Sequence, residues 1–442
     1  MVELVDDQFA NAGLVRFIFG PSTGLVFLVG DHGRQSLARV SYSLAGKNIA
    51  LAYPVAHDAK RKRVTAHSQS VVEVRSRVER DQFIKFPWRI YKSDPAWVPP
   101  LIIERKAFLD RKRHPFYQHG DAALFLAKRN GEIVGRIMAS DDPNYNALHK
   151  SNVGCFGLFE SIDDVDVATA LFDSAAEWLR RRGRSEIMGP IDYSTNYVCG
   201  LLIDGFEHPP TLLTAHNPPY YARLIEAYGF EKEKDWYAWW FDPHNAPVSR
   251  LHRLVDARAR KTSVKIRSID LRHLTDESRR LSAVFNEAWK DNWGFVPFTQ
   301  AEAGHMAKEM RPVMDPRMTL IAEIDSVPVA FVICVPDINV ALLHVDGRLT
   351  RFGLPIGLIK LLWYRRKIRK ARFIALGVLE KYRRAGIAET LVLQVMEEGA
   401  SRGFCGELSM TLEDNVMVNR FIEAVGASKY KTYRIYRRPI TS

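Results

Sequence analysis

From Phe83 onward, apolar residues recur in two stretches that predict the same order of elements. In the first stretch, Phe125–Lys128 and Ile133–Ala139 predict two strands turned at Asn130-Gly131, a pair suited to a two-residue hairpin. A strand near Val153–Phe159 follows, then a helix from about Val165 to Arg182 that Gly183 ends. A strand at Glu186–Ile191, a helix around Tyr220–Ala227 and a strand near Trp236–Phe241 complete it. The second stretch predicts strands at Met318–Ile324, Val327–Val335 and Phe373–Leu379, then a helix at Ile387–Ser401 with Ile387, Leu391 and Val395 spaced by four. A strand at Glu407–Thr411, a helix at Val416–Ala424 and a strand at Tyr430–Arg437 close it.

One short string supports a repeat. Arg223-Leu-Ile-Glu-Ala-Tyr-Gly-Phe230 agrees with Arg420-Phe-Ile-Glu-Ala-Val-Gly-Ala427 at five of eight positions, and each falls on the last helix of its stretch. The pattern predicts an α/β fold of two tandem domains with mixed central sheets, 81–242 and 264–442, joined by a polar linker at 243–263. Residues 1–80 show little periodicity, carry the basic run Lys60-Arg-Lys-Arg63, and read as a poorly ordered extension.

Composition narrows the class. A chain of 442 residues with 47% hydrophobic and 26% charged content is globular and long enough for two cores. Cys155, Cys199, Cys334 and Cys405 lie in largely apolar segments without metal-ligand spacing, so they read as buried thiols of a reducing, cytoplasmic compartment, and no metal is expected. The best apolar run, Phe17–Gly30, is shorter than the roughly 20 residues that span a bilayer. The net charge is +12, and the stretch from Arg351 to Arg384 alone holds eleven Lys or Arg against one acid, Glu380. An anionic partner is expected there, with no nucleic acid implied.

That basic stretch contains the most informative segment. After the strand at Phe373–Leu379, a turn at Tyr382–Gly386 enters the next helix, and free N–H groups at a helix start beside Arg383 and Arg384 suit a phosphate or pyrophosphate. Gly386 lets the backbone approach the anion. The spacing Arg383-x-x-Gly386-x-Ala388 resembles the acyl-CoA pyrophosphate loop of the GNAT acyltransferases. At the corresponding place the first stretch has Glu160-Ser-Ile-Asp-Asp-Val165, whose acids would repel a pyrophosphate, so only the second domain is expected to bind CoA.

From about Phe83 to the C-terminus the chain further resembles the bacterial ceramide synthase-like group of tandem GNAT proteins. The resemblance rests on Phe86-Pro-Trp-Arg-Ile-Tyr91, Gly189-Pro-Ile-Asp-Tyr-Ser-Thr-Asn196, His216-Asn-Pro-Pro-Tyr-Tyr221, Asp291-Asn-Trp-Gly-Phe-Val-Pro-Phe298, Pro336-Asp-Ile-Asn339 and the loop itself. It implies transfer of a fatty acyl group from acyl-CoA to the amine of a sphingoid base. By resemblance, the backbone of Val378 and Leu379 holds the thioester, Arg383, Arg384, Gly386 and Ala388 hold the pyrophosphate, and Asn415 contacts the CoA arm. Asp337 and His344 lead as proton acceptors, followed by Glu413 and Asp414, although each also suits a cap or turn. Asp192, Tyr193, Asn196, His216 and Asn217 are candidates for the acceptor pocket, or equally for a hydrogen-bonded loop. Many GNAT enzymes carry a leaving-group tyrosine where this chain has Ile422.

The insert Leu354–Lys370 joins apolar residues to a basic cluster and Trp363-Tyr364, which suits a segment lying on an anionic bilayer or a core helix with a basic end. Two other functions stay open on these residues: a soluble small-amine acetyltransferase or FemX-like peptidyl transferase, and a non-catalytic acyl-CoA- or lipid-binding protein.

Overall fold

The computed structural model describes residues 69–243 and 263–440, together with His252, Val255 and the backbone of four short strands nearer the N-terminus. Those four strands, β1 (Val15–Ile18), β2 (Val26–Val29), β3 (Ser41–Leu44) and β4 (Lys47–Ala50), belong to a separate unit, Met1–His67, where β1 pairs with β2 and β3 with β4, both antiparallel. The rest of the extension below residue 69 and most of the expected linker lie outside the described residues.

The second unit, Ser68–Ser442, is built on one large sheet. Its first half supplies β5 (Gln69–Glu73), β6 (Asp121–Arg129), β7 (Glu132–Asp141), β8 (Val153–Ser161), β9 (Glu186–Gly189), β10 (Leu201–Asp204) and β11 (Glu231–Phe241). The second half supplies β12 (Lys265–Ser268), β13 (Thr319–Ile324), β14 (Val327–Pro336), β15 (Lys370–Val378), β16 (Cys405–Leu412) and β17 (Ser428–Pro439). Order begins earlier than the periodicity indicates: β5 pairs along its whole length with β6, and a capping box at Ser76 and Glu79 starts the helix Arg77–Lys85.

Along the sheet the strands run β12-β13-β14-β15-β16-β11-β17-β9-β8-β7-β6-β5, with β10 attached to β17. Among the described residues only β15–β16 and β8–β9 are parallel pairs. The two halves, near the expected tandem domains 81–242 and 264–442, share one plan, but neither sheet closes on itself. The last strand of the first half, β11, pairs with β16 of the second, while the last strand of the second half, β17, pairs with β9 of the first. The two exchanged strands also pair with each other from Glu231↔Arg437 to Trp240↔Ser428. Each exchanged strand supplies backbone partners that its neighbours would otherwise lack, so the exchange removes two sheet edges.

Each half packs a long helix on the sheet in the same place in its element order. In the first, Leu171, Phe172, Ala175 and Leu179 of the helix Val165–Arg180 meet Ile137 and Phe156. In the second, Ile387, Leu391 and Val395 of the helix Ile387–Ser401 meet Ala330 and Val332, which is the four-residue spacing read from the sequence. Local turn chemistry also holds. Asn130 and Gly131 both take left-handed backbone, φ 52° and 83°, as their hairpin requires, and the repeat's glycines, Gly229 and Gly426, sit at φ 94° and 93°.

Because the halves are laced through β11 and β17, cutting the chain near residue 250 should leave the two fragments together. Size-exclusion chromatography of protein cleaved at an engineered protease site there should show one species until denaturant is added. Separation in native buffer would contradict the exchange.

Candidate active site

The site begins where two parallel strands part. β15 and β16 pair at Lys370↔Cys405, Ala371↔Gly406, Arg372↔Glu407 and Phe373↔Leu408, and then separate. On its other side β15 stays bonded to β14 as far as Ala330↔Val378, with an irregularity at Ile374. The Leu379 amide donates to the Val329 carbonyl at 3.0 Å. In an antiparallel ladder the facing direction alternates, so the backbone groups of Val378 and Leu376 turn toward the gap. The Trp289 indole N–H already reaches the Leu376 carbonyl across that space, at 3.1 Å. Of the two residues expected to hold the thioester, Val378 faces the gap, whereas Leu379 spends its N–H on β14 and Leu376 faces the gap in its place.

The basic turn follows directly. A single 3-10 turn, Glu380–Tyr382, leads to Gly386 at φ 76°, ψ 7°, and the helix Ile387–Ser401 starts there. Among the described residues, the N–H groups of Arg384, Gly386, Ile387 and Ala388 have no backbone acceptor. Arg383 and Arg384 are exposed, and Arg383 donates to the Ala288 carbonyl at 3.0 Å, which ties the turn to the helix Leu274–Ala288. Amides without backbone acceptors, a helix start and two exposed cations are the make-up of an anion cradle.

The corresponding gap in the first half is filled by the chain itself. After Cys155↔Met188 the parallel pair β8–β9 also parts, but the Ile191 amide donates to the Phe156 carbonyl at 2.7 Å and the Leu158 amide donates to Asp192 Oδ1 at 3.0 Å. The approach is close enough that a Cβ on Gly157 would lie 2.4 Å from the Ile191 carbonyl oxygen. The next helix start is occupied too, since Asp164 accepts from the amides of Asp166 and Val167 and is ion-paired with Arg129 at 2.8 Å. The first half thus fills with its own chain both the gap and the helix start that stay open in the second.

Beside the open gap, an apolar cavity of about 220 Å³ lies over the face of β14 and β15. Leu281 and Phe285 of the helix Leu274–Ala288 wall it, as do Met306 and Met310 of the helix Gln300–Met310, with Phe331, Ile333 and Ile374 from the sheet. The first half contributes Asn196, Tyr197, Cys199 and Trp236. Burial pushes the Cys199 thiol up to about 12, so it stays protonated near neutral pH and is a poor nucleophile.

One charged residue reaches this cavity: Arg372, at the vertex where the strands part. Its Nε donates to Ser409 Oγ at 2.9 Å, it donates to the Leu212 carbonyl, and it lies 3.6 Å from the Glu407 carboxylate. Glu407 is fully buried and accepts from Thr211 Oγ1 at 2.7 Å and from the hydroxyls of Ser409 and Tyr430. The sequence alone assigns neither residue a role. Its available signal is two charges in apolar strands, and only the parallel register shows that they face each other.

Most of the other candidate residues hold loops in place. Asp337 lies at the paired end of β15, where its own amide donates to the Lys370 carbonyl at 2.8 Å and its carboxylate accepts from the amides of Leu212 and Asn339. Burial pushes its pKa up to about 6. His344 stacks on Tyr364 of the insert, ring centroids 3.6 Å apart. Glu413 is held by Lys232 at 2.6 Å and by the Asp235 amide at 3.0 Å, Asp414 is paired with Lys234 at 2.7 Å, and Asn415 caps the helix Val416–Ala424.

Asp192 is the plug residue described above, and burial pushes its pKa to about 6. The buried Tyr193 hydroxyl donates to the Phe108 carbonyl at 2.9 Å. His216 bonds Asp94 at 2.8 Å, and Asn217 bonds both backbone groups of Leu202, at 2.8 and 3.0 Å. Of the five acceptor-pocket candidates only Asn196 reaches the cavity wall, fixed there by a 3.0 Å bond to the Val296 carbonyl. Ile422 is buried in the apolar cluster with Val392 and Met396, so its side chain offers no acid to a leaving group.

Antiparallel strands, one parallel pair that parts and an anion cradle at the following helix define a GNAT acyltransferase. Residues 280–427 match the Acetyltransferase (GNAT) family. The chain is 38% identical to Protein YghO of Escherichia coli over 366 residues, covering 81% of this chain and 92% of that protein. It is 34% identical to the bacterial ceramide synthase of Caulobacter vibrioides over 385 residues, covering 84% and 97%. A tandem GNAT protein from the clavulanic acid biosynthesis pathway shares the fold, with a TM-score of 0.52 at 12% identity over 85% of this chain and 99% of that one. The chain belongs to the tandem GNAT family of bacterial ceramide synthase-like N-acyltransferases, and it is an enzyme of that type.

Gly386→Glu places a side chain on left-handed backbone and a carboxylate inside the cradle. We expect calorimetric binding of CoA to weaken at least about 100-fold, from backbone strain of roughly 1–2 kcal/mol plus like-charge repulsion, with the far-ultraviolet circular dichroism unchanged. Unaltered CoA affinity would show that the cradle lies elsewhere.

Proposed function

We propose that the enzyme transfers a long-chain acyl group from acyl-CoA to the amine of a long-chain base, as in ceramide formation. The observation that carries this reading is the apolar cavity at the vertex of the parted strands. An acetyl group on a small amine would leave that space unused, and a long chain buried there gains about 0.8 kcal/mol per methylene. The relative named as a ceramide synthase supports a sphingoid base as the acceptor.

The residues divide the work. The amides of Arg384, Gly386, Ile387 and Ala388, with Arg383 and Arg384, take the pyrophosphate of CoA, while the backbone of Val378 and Leu376 takes its extended arm. The Leu376 N–H, aimed into the gap, donates to the carbonyl oxygen as negative charge develops there. Arg372 beside the cavity disfavours an ammonium, which favours the neutral amine needed for attack. The new C–N bond forms as the C–S bond breaks, the amine proton passes to Glu407 through Ser409, and CoA leaves as a thiolate, reasonable for a thiol with pKa of about 8.5. No cysteine intermediate is required, since Cys199 is held as the thiol.

Among the described residues no helix is long and apolar enough to cross a membrane. We place the enzyme peripherally on an anionic bilayer on the cytoplasmic side, reached through the insert Leu354–Lys370. Palmitoyl-CoA should release its thiol only when a long-chain amine is added, and acetyl-CoA should be a poor donor. Met306→Trp, which fills the cavity, should lower turnover of palmitoyl-CoA at least about tenfold while affecting a short acyl-CoA much less, a discrimination typical of an apolar pocket. Efficient transfer from acetyl-CoA to a small amine, with none between the lipid pair, would refute the long-chain reading.

A further inference from the structure

A second and larger cavity, about 640 Å³, opens beside the insert at the paired end of β15. Four arginines line it: Arg365, Arg366, Arg369 and Arg402. Arg402 is neutralised, bonded to Asp315 at 2.7 Å and Glu398 at 3.2 Å, and Asp315 is the one acid on the wall. Arg369 donates to the Ile368 carbonyl at 2.8 Å. Among the described residues no carboxylate pairs with Arg365, Arg366 or Arg369, so the pocket carries uncompensated positive charge over a floor that includes Met314 and Phe404. An apolar floor beneath a cationic rim is the complement of an anionic amphiphile.

The adjoining surface points the same way. Phe352 is 89% exposed, Ile359 62%, Leu354 59%, Trp363 58% and Leu362 52%, an unusual concentration of large apolar side chains in water. Leu358, Ile359, Leu362 and Trp363 fall at i, i+1, i+4 and i+5 of the helix Ile356–Arg365 and form one stripe. Lys367 lies over the Trp363 and Tyr364 rings, and Lys360, Arg365 and Arg366 surround the stripe with positive charge. This is the make-up of a helix that lies in the interface of an anionic bilayer. Met314 lines both this basic pocket and the apolar cavity of the active site, so the two spaces share a wall.

We propose that the arginine pocket binds the phosphate of an anionic phospholipid while the exposed stripe of Ile356–Arg365 enters the bilayer, which sets the Met314 end of the apolar cavity against the membrane for entry of long-chain substrate. The entry role rests on the long-chain reading above; the binding does not, because vesicle association is measured without turnover.

The test is flotation of the full-length protein with phosphatidylcholine vesicles, with and without phosphatidylglycerol. Binding should require phosphatidylglycerol and weaken with added salt. Combining Arg365→Gln, Arg366→Gln and Arg369→Gln should weaken it roughly 100-fold, from about 1 kcal/mol for each basic residue at an anionic surface. Combining Ile359→Ser and Trp363→Ser should also abolish flotation, and since both side chains are already exposed their thermal unfolding should be unchanged. Equal binding to neutral vesicles, or full binding by the triple variant, would overturn the proposal. Arginine-dependent binding of glycerol phosphate in solution with no vesicle binding would also overturn it, and would make the site one for a soluble anion.

Discussion

The structure turns on the parting of β15 from β16 after Phe373↔Leu408. A strand inside a sheet cannot leave its backbone groups without partners at no cost, since a buried amide or carbonyl lacking a bond loses about 1–3 kcal/mol. Both halves face this problem, because both contain a parallel pair that separates after a few residues. The first half solves it with its own chain, Ile191 and Asp192 bonding the exposed backbone of β8. The second half leaves the backbone of Val378 and the Leu376 N–H turned to an open gap, with, among the described residues, only the Leu376 carbonyl bonded there, by Trp289. One fold thus yields a half whose gap is filled by its own chain and a half whose gap stays open.

The other features secure that gap. Exchange of β11 and β17 ties the halves together, so the first half can supply Asn196, Tyr197 and Trp236 to the cavity over the second. Arg372 and Glu407 mark the vertex with a buried ion pair. Such a pair gains little over an apolar packing of the same volume, yet breaking one member leaves an uncompensated charge and costs about 3–5 kcal/mol. Here the pair is further held by Ser409, Thr211 and Tyr430, so the point of parting is fixed by a buried polar cluster.

What the sequence made legible was local. The hairpin at Asn130-Gly131, the helix spacing of Ile387, Leu391 and Val395, and the Arg383-x-x-Gly386-x-Ala388 turn each depend on residues close in the chain, and the structure shows each in its expected form. Register is not local. That Arg372 faces Glu407, that Leu379 turns to β14 while Leu376 turns to the gap, and that the last strands are exchanged all follow from pairings between distant segments. Polar residues in conspicuous strings left two readings open for a related reason: Asp192, His216 and Asn217 bond side chains or irregular backbone in the structure, and a strong demand for a polar side chain looks the same in sequence whether it serves a ligand or a loop.

The most direct measurement of this account is backbone hydrogen exchange with and without CoA. Binding should slow exchange at Leu376, Val378 and Arg384 through Ala388, and leave Phe156 through Ser161 of the self-filled half unchanged. Protection confined to the first half, or absent from both, would contradict the claim that the open gap of the second half is the CoA site.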